Sequence, residues 1–208
     1  MPNQHVPLLP GNYYHLYNRA NGDDKLFRSE ENYEYFIRKI KEYVLPVAHL
    51  WTYSLIPNHF HLFVKIKEDS VIEALYKIKK SKDYDPAVQL ISDFIMEQFS
   101  NCLNAYAKAF NKMYNRKGAL FMDYLKRSMA FDESDINSFI FYIHKNAVHH
   151  GITSKIGQWK YDGYPALISL EKTDLARQDV IDWFGSIEEF INFHDQPVDL
   201  KEKNKYFE

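Results

Sequence analysis

Three stretches of the chain read as strands, the first because apolar and polar positions alternate with a period of two and the other two because they are mostly apolar. The stretches are NYYHLYNRA, HLWTYSLI and HFHLFVKI. Only Pro57 and Asn58 separate the second stretch from the third, so these two predict an antiparallel hairpin. A fourth strand is predicted within ALFMDYLKRSMAF, further along the chain.

Apolar residues at helical spacing predict four helices between and after these strands. The first has Ser29 as its N-cap and stops at Pro46. A short helix capped by Ser70 and a long helix over about 86–114 precede the fourth strand. The last of the four follows the acidic turn DESD and ends at Gly151. This order is close to the β-α-β-β-α-β arrangement of ferredoxin-like folds.

The sequence therefore predicts an α+β fold, with a ferredoxin-like antiparallel sheet and helices packed on it. The main domain is expected to span 1–168. A small C-terminal helical extension is expected over 169–208, because LARQDVIDWFG and SIEEFINFH each read as an amphipathic helix.

Composition narrows the class of protein. In 208 residues there is a single cysteine, Cys102, so neither a disulfide framework nor a cysteine-rich zinc site is expected. The chain shows no apolar run of ~18 residues and no signal-like start. These observations predict a cytoplasmic protein without a membrane partner.

Charge is distributed unevenly although the formal net charge is only −2. Basic residues gather in the middle of the chain, whereas the segment after Ser169 is acidic. The basic set comprises Lys108, Lys112, Arg116, Lys117, Lys126 and Arg127. This asymmetry predicts an anionic ligand on one face, with a solvated helix surface as the plainer alternative.

Two histidines stand out in the strand HFHLFVKI. His59 and His61 are two positions apart, so both imidazoles point to one face of the sheet. Two imidazoles at this distance can share a divalent ion. The pattern is weak by itself, because histidines held by ordinary hydrogen bonds are more common than metal ligands.

The helix FIFYIHKNAVHHG adds groups that complete such a site. Tyr142 and Asn146 are four positions apart and share one helical face. Asn146 can supply an amide oxygen to a metal, and Tyr142 a phenol able to attack a substrate. His149 lies three residues further on, as a supporting residue or a substitute ligand. Without the histidines, Tyr142 would be interpreted as a packing residue at the core edge.

Four segments in this order resemble a known family. YHLYNRANGDDKLF, YSLIPNHFHLFVKI, YNRKGALF and YIHKNAVHHGI are similar to the single-tyrosine transposases of the IS200/IS605 type. The nearest branch is that of the REP-associated tyrosine transposases, and the likeness covers roughly residues 11–168. The family belongs to the HUH endonucleases, where U is a hydrophobic residue, here Phe60.

The resemblance implies an IS200-like catalytic domain that nicks single-stranded DNA beside folded hairpins and transfers the strand. It assigns His59, His61 and Asn146 to a divalent metal, Mg²⁺ or Mn²⁺, and Tyr142 to the nucleophile of a 5′-phosphotyrosine intermediate. One departure is visible. Ala147 stands where the family commonly has proline, which implies a local change in the helix and an intact site.

The expected partner is single-stranded or hairpin DNA. Besides the basic residues of the middle segment, Arg19 at the end of the first strand is expected to contact it. The sequence is compatible with a monomer or with a homodimer. Two alternative functions also stay open: a domesticated DNA-hairpin-binding protein without turnover, and a metal-dependent hydrolase in which bound water attacks. In the hydrolase, Tyr142 would be dispensable.

Overall fold

Four antiparallel strands form one sheet in the order β2-β3-β1-β4. The computed structural model describes residues 6–86 and 89–197. The strands are β1 (Tyr13–Arg19), β2 (Ala48–Ile56), β3 (His59–Ile66) and β4 (Lys126–Met129). β2 and β3 form the predicted hairpin, and β1 and β3 occupy the centre of the sheet. This strand order is that of a ferredoxin-like sheet, so the predicted α+β fold class is confirmed.

Helices cover both faces of the sheet and form the C-terminal region. They are α1 (Glu30–Lys39), α2 (Asp69–Lys80), α3 (Ile91–Met113), α4 (Glu133–His149), α5 (Gly163–Ile168), α6 (Arg177–Phe184) and α7 (Ile187–His194). A π-helical turn, Ile40–Val44, extends α1 up to the loop that contains Pro46. Within the described residues, no helix is long and apolar enough to cross a membrane.

The two faces of the sheet carry different layers. On one face α1 packs against the sheet and α3 packs against α1. The Phe36 ring of α1 lies 5.0 Å from Phe60 of β3 and 4.9 Å from Tyr106 of α3. On the other face, the Phe139 ring of α4 lies 5.9 Å from Phe63 of β3. Because side chains alternate along a strand, α4 covers the face that carries His59 and His61.

Four element boundaries differ from the sequence predictions. Ser70 lies inside α2, which Glu68 precedes as N-cap, and α3 begins at Ile91 rather than near residue 86. The fourth strand is short because Asp123 has a φ of +46° and interrupts the extended run. A short helix, α5, lies outside the helices that the sequence pattern predicts.

The C-terminal extension is tied to α4 by a buried chain of hydrogen bonds. His194 donates from Nδ1 to the carbonyl oxygen of Phe190 at 2.7 Å. Its Nε2 therefore accepts from Nδ1 of His144 at 2.7 Å, and Nε2 of His144 accepts from the Thr52 hydroxyl at 2.6 Å. The chain links β2, α4 and α7, so it fixes the helix that carries Tyr142. Residues 198–208 of the predicted extension lie outside the described residues.

Replacing His194 with alanine is expected to lower the free energy of unfolding by about 1–3 kcal/mol. The substitution removes the acceptor for Nδ1 of His144, which stays buried. Urea unfolding followed by circular dichroism measures the change. Asn192→Ala on the exposed side of the same helix is the matched control and should stay within about 0.5 kcal/mol of wild type. Equal stability of the two variants would contradict this account of the chain.

Stability is also expected to fall in mild acid. Burial lowers the pKa of His194 to about 4, and burial together with His194 lowers that of His144 well below its usual value. Histidines in the unfolded chain titrate near 6.5, so between pH 6.5 and about 4 the unfolded state binds more protons. The free energy of unfolding should therefore decrease as pH falls through this window, by up to ~1.4 kcal/mol per pH unit for each such histidine. Urea titrations of the metal-free protein at pH 7.5, 6.5 and 5.5 measure it; a flat profile would contradict the expectation.

Candidate active site

The two histidines of β3 lie side by side on the face that α4 covers. Their ring centroids are 5.0 Å apart with the planes nearly perpendicular, at 89°. In the sheet register, His59 is opposite Arg19 and His61 is opposite Tyr17 of β1. All four residues line one cleft of about 530 Å³. The predicted pairing of the imidazoles on one face is therefore present.

Helix α4 brings Tyr142 into the cleft and Asn146 close to His59. The Tyr142 ring lies 5.3 Å from that of His61 at 87°, and it lines the same cleft. One helical turn further, Asn146 is fully buried. Neither its Oδ1 nor its Nδ2 has a hydrogen-bond partner of good geometry. A buried amide in this condition is costly, which makes Asn146 a candidate for binding a ligand.

Both histidines of β3 are held in the neutral form. Burial lowers the pKa of His59 to about 3, with a further contribution from His150, while the Asn146 amide acts in the opposite direction. The Asn146 side chain therefore lies close to His59, although the contact between them lacks hydrogen-bond geometry. Burial, with His15 next, lowers the pKa of His61 well below its usual value. A neutral imidazole keeps a lone pair, as a metal ligand must.

Each imidazole uses Nδ1 for a contact within the protein. Nδ1 of His59 lies 2.9 Å from Oδ1 of Asn58, which as an oxygen accepts the hydrogen bond. Nδ1 of His61 lies 2.8 Å from Nε2 of His15. If each Nδ1 donates in its contact, the lone pair of each ring lies on Nε2, which is then the nitrogen able to bind a metal.

The donor set at the cleft fits a divalent cation. Two neutral imidazoles and an amide oxygen with no hydrogen-bond partner offer two nitrogens and one oxygen, a set that Mg²⁺, Mn²⁺ and later transition metals accept. Over residues 6–86 and 89–197, no group of three or more His, Cys, Asp or Glu side chains is arranged to hold a metal ion. The third donor of this set is thus an amide.

The cleft includes only part of the predicted basic set. Arg19 and Lys126 line it, and Nζ of Lys126 lies 5.9 Å from the centroid of the Tyr17 ring. Lys108 and Lys112 are exposed on α3, in the layer on the other side of the sheet. The exposed Lys117 does not line the cleft.

The two other arginines of the set have structural contacts. Arg116 pairs with Asp24 at 2.5 Å and donates to the carbonyl oxygens of Gly118 and Ala119. Arg127 donates to the carbonyl oxygen of Val6. Its register position is adjacent to that of Lys126, so its side chain leaves the opposite face of the sheet. The structure therefore brings Arg19 and Lys126, and not these arginines, together with the histidines.

Sequence reasoning missed two histidines of the site. His15 is fully buried and contacts His61, and the ring of His150 lies 4.7 Å from that of His59. The predicted supporting residue, His149, lines the cleft and contacts His150 at 5.2 Å between ring centroids. His15 could have been found from the sequence, because it is two positions before Tyr17 in β1 and both side chains therefore point to the same face.

Comparison with solved structures identifies a protein of similar fold. The chain superposes on a structure described as a REP-associated tyrosine transposase bound to a REP hairpin, with a TM-score of 0.55. The match covers 85% of this chain and 92% of the other, at 14% sequence identity. The chain has the fold of a REP-associated tyrosine transposase. The resemblance inferred from four short segments is thus confirmed at the level of the fold.

Comparisons by sequence add nothing to this likeness. No family model matches the chain, and no curated protein matches it. At 14% identity the structural match carries the fold alone. Any function must therefore be argued from the residues of the cleft.

Proposed function

We propose that the protein is a tyrosine transposase that nicks single-stranded DNA next to a hairpin and rejoins the strand. The observation that carries the proposal is the position of Tyr142 beside His61 in one cleft, with the buried Asn146 of the same helix close to His59. The fold shared with a hairpin-bound transposase supports the choice of DNA as substrate. The proposed catalytic region is 1–168, followed by the helical extension 169–208.

Tyr142 is the proposed nucleophile. Its phenolic oxygen attacks the scissile phosphorus, forms the O–P bond and loses its proton. The bond from phosphorus to the 3′ oxygen breaks, and that oxygen gains a proton. The products are a 5′-phosphotyrosine and a free 3′-hydroxyl. Attack by a 3′-hydroxyl reverses the step, so the phosphodiester is conserved without an external energy source.

His59, His61 and Asn146 are the proposed ligands of Mg²⁺ or Mn²⁺. When bound, the cation supplies Lewis-acid polarisation of the scissile phosphate and stabilises charge on its oxygens. The three side chains are held on rigid elements, the central strand β3 and helix α4. This placement supports a preorganised site, because strands and helices hold side chains more precisely than loops do.

The spacing within one chain supports nicking by a monomer. Tyr142 and His61 come from the same chain and their rings already lie 5.3 Å apart. The nucleophile therefore needs no donation from a second copy. A homodimer is therefore not required for the nicking step.

The function is tested with labelled single-stranded DNA that carries a hairpin and flanking sequence. The full-length protein, DNA and Mn²⁺ are incubated, and the products are separated under denaturing conditions. We expect a shortened strand with a 3′-hydroxyl and a protein-linked fragment, both absent with excess EDTA. Cleavage without a protein-linked fragment would favour the hydrolase, and hairpin binding without cleavage would favour the DNA-binding alternative.

DNA binding is expected to depend on Lys126 rather than on Lys108. Lys126 lines the cleft beside Tyr17, whereas Lys108 is exposed on the opposite layer. Lys126→Ala should weaken binding uniformly across sequences and reduce the slope of log K against log salt by about 1. Lys108→Ala is the matched control and should leave both quantities unchanged. Fluorescence anisotropy across a salt series measures them, and a larger loss in Lys108→Ala would place the DNA on α3.

A further inference from the structure

The buried side chain of His15 has no place in the nicking chemistry described above. It projects from β1 on the face that carries His61 and is completely inaccessible to solvent. Its Nε2 lies 2.8 Å from Nδ1 of His61, and the two rings are nearly parallel, at 15°. Burying an imidazole at the centre of a sheet costs free energy unless the ring is hydrogen-bonded. The contact with His61 is therefore the place to look for the role of His15.

Neighbouring rings leave His15 little freedom to move. Tyr17 stacks on it at 5.0 Å between centroids, Phe139 packs at 5.3 Å, and Tyr142 meets it edge-on at 5.9 Å. These contacts come from both β1 and α4. They fix the His15 ring in one orientation, and its hydrogen bond in turn fixes that of His61.

The direction of this hydrogen bond decides what His61 can do. If Nδ1 of His61 donates to His15, then Nε2 of His61 carries a lone pair and can bind a cation. In the reverse arrangement His15 donates, Nε2 of His61 carries the hydrogen, and the ring cannot be a ligand at that atom. Partners of this kind commonly set the tautomer of metal-binding histidines.

We propose that His15 is a positioning residue whose Nε2 accepts a hydrogen bond from Nδ1 of His61 and so directs the lone pair of Nε2 of His61 into the cleft. The role rests on the proposed function, since it concerns a ligand of the proposed metal. His59 receives a comparable contact from Asn58 at 2.9 Å. Asn58 is exposed, so water can replace its oxygen, whereas nothing can replace His15 in its enclosed position.

Substitutions at position 15 separate this role from simple packing. His15→Gln places an amide near the position of Nε2 and keeps an acceptor for His61. His15→Leu keeps an apolar volume and removes the acceptor. The first readout is the nitrogen NMR spectrum of the full-length, metal-free protein, which distinguishes the two tautomers of His61. The second is the affinity for Mn²⁺ measured by electron paramagnetic resonance.

Wild type and His15→Gln should show the hydrogen on Nδ1 of His61 and bind Mn²⁺ within about threefold of each other. His15→Leu should lose about 10–100-fold in affinity, the usual effect of removing a partner of a metal ligand. Asn58→Ala should lose less. If His15→Leu does not fold, His15→Asn, whose amide is too short to reach, provides the same comparison.

Equal Mn²⁺ affinity in His15→Leu, or a hydrogen on Nε2 of His61 in wild type, would overturn the role of His15. An active enzyme with that result would leave the proposed function standing. A protein that shows the expected contrast but does not cleave DNA would overturn the proposed function and retain the role of His15. The two failures are therefore distinguishable.

Discussion

Tyr142→Phe is expected to abolish the covalent DNA adduct and reduce strand cleavage below about one-thousandth of the wild-type rate, since it removes the nucleophile itself. The variant keeps the aromatic ring that packs against His15 and His61, so the fold and the cleft should be preserved. Cleavage of labelled hairpin DNA under single-turnover conditions measures the rate. DNA affinity, measured separately, should stay close to that of wild type.

Tyr17→Phe is the matched control for this experiment. Tyr17 lines the same cleft and stacks on His15, so the substitution also removes a phenol near the histidines. The adduct should persist, with a rate within about tenfold of wild type, because a group that only binds or orients DNA contributes less than a nucleophile. Loss of the adduct in Tyr17→Phe but not in Tyr142→Phe would show that Tyr17, and not Tyr142, is the nucleophile.

His61→Asn is expected to produce the second large effect. The asparagine amide ends near the position of Nδ1, so it can retain the contact with His15 while the atom Nε2 is lost. We expect Mn²⁺ affinity to fall by more than about 100-fold, beyond the loss usual for partners of a ligand. Cleavage should fall in parallel at a fixed Mn²⁺ concentration. Calorimetric titration and the hairpin assay measure the two quantities.

His49→Asn serves as the control for the histidine substitution. His49 is exposed on β2 and does not line the cleft. Both the affinity for Mn²⁺ and the cleavage rate should be unchanged in this variant. Unchanged Mn²⁺ affinity in a folded His61→Asn protein would contradict the proposed metal site, whatever the effect on cleavage.

The sheet and its site face could be predicted because they depend on local patterns. The period-two alternation placed His59 and His61 on one face, and the two-residue connector at Pro57 and Asn58 predicted the hairpin. Helical spacing placed Tyr142 and Asn146 on one side of α4. These relations follow from backbone geometry, so they need no knowledge of the tertiary structure.

Contacts between distant segments could not be predicted in the same way. The hydrogen bond from His61 to His15 joins residues 46 positions apart, and that from His144 to His194 joins residues 50 positions apart. Only the strand order and the docking of α7 bring these pairs together. The prediction of a single basic surface failed for the same reason, because Lys108 lies on α3 and the side chain of Arg127 leaves the sheet on the face opposite the cleft. Sequence gives the number of basic residues, whereas topology decides which of them can meet one ligand.

The residue that attacks the DNA can be identified by locating the covalent attachment on the protein. Wild-type protein is incubated with hairpin DNA and Mn²⁺, the adduct is digested with protease and nuclease, and the modified peptide is sequenced by mass spectrometry. We expect a nucleotide joined through its 5′-phosphate to Tyr142. Attachment to another residue, or efficient cleavage with no modified peptide, would contradict it.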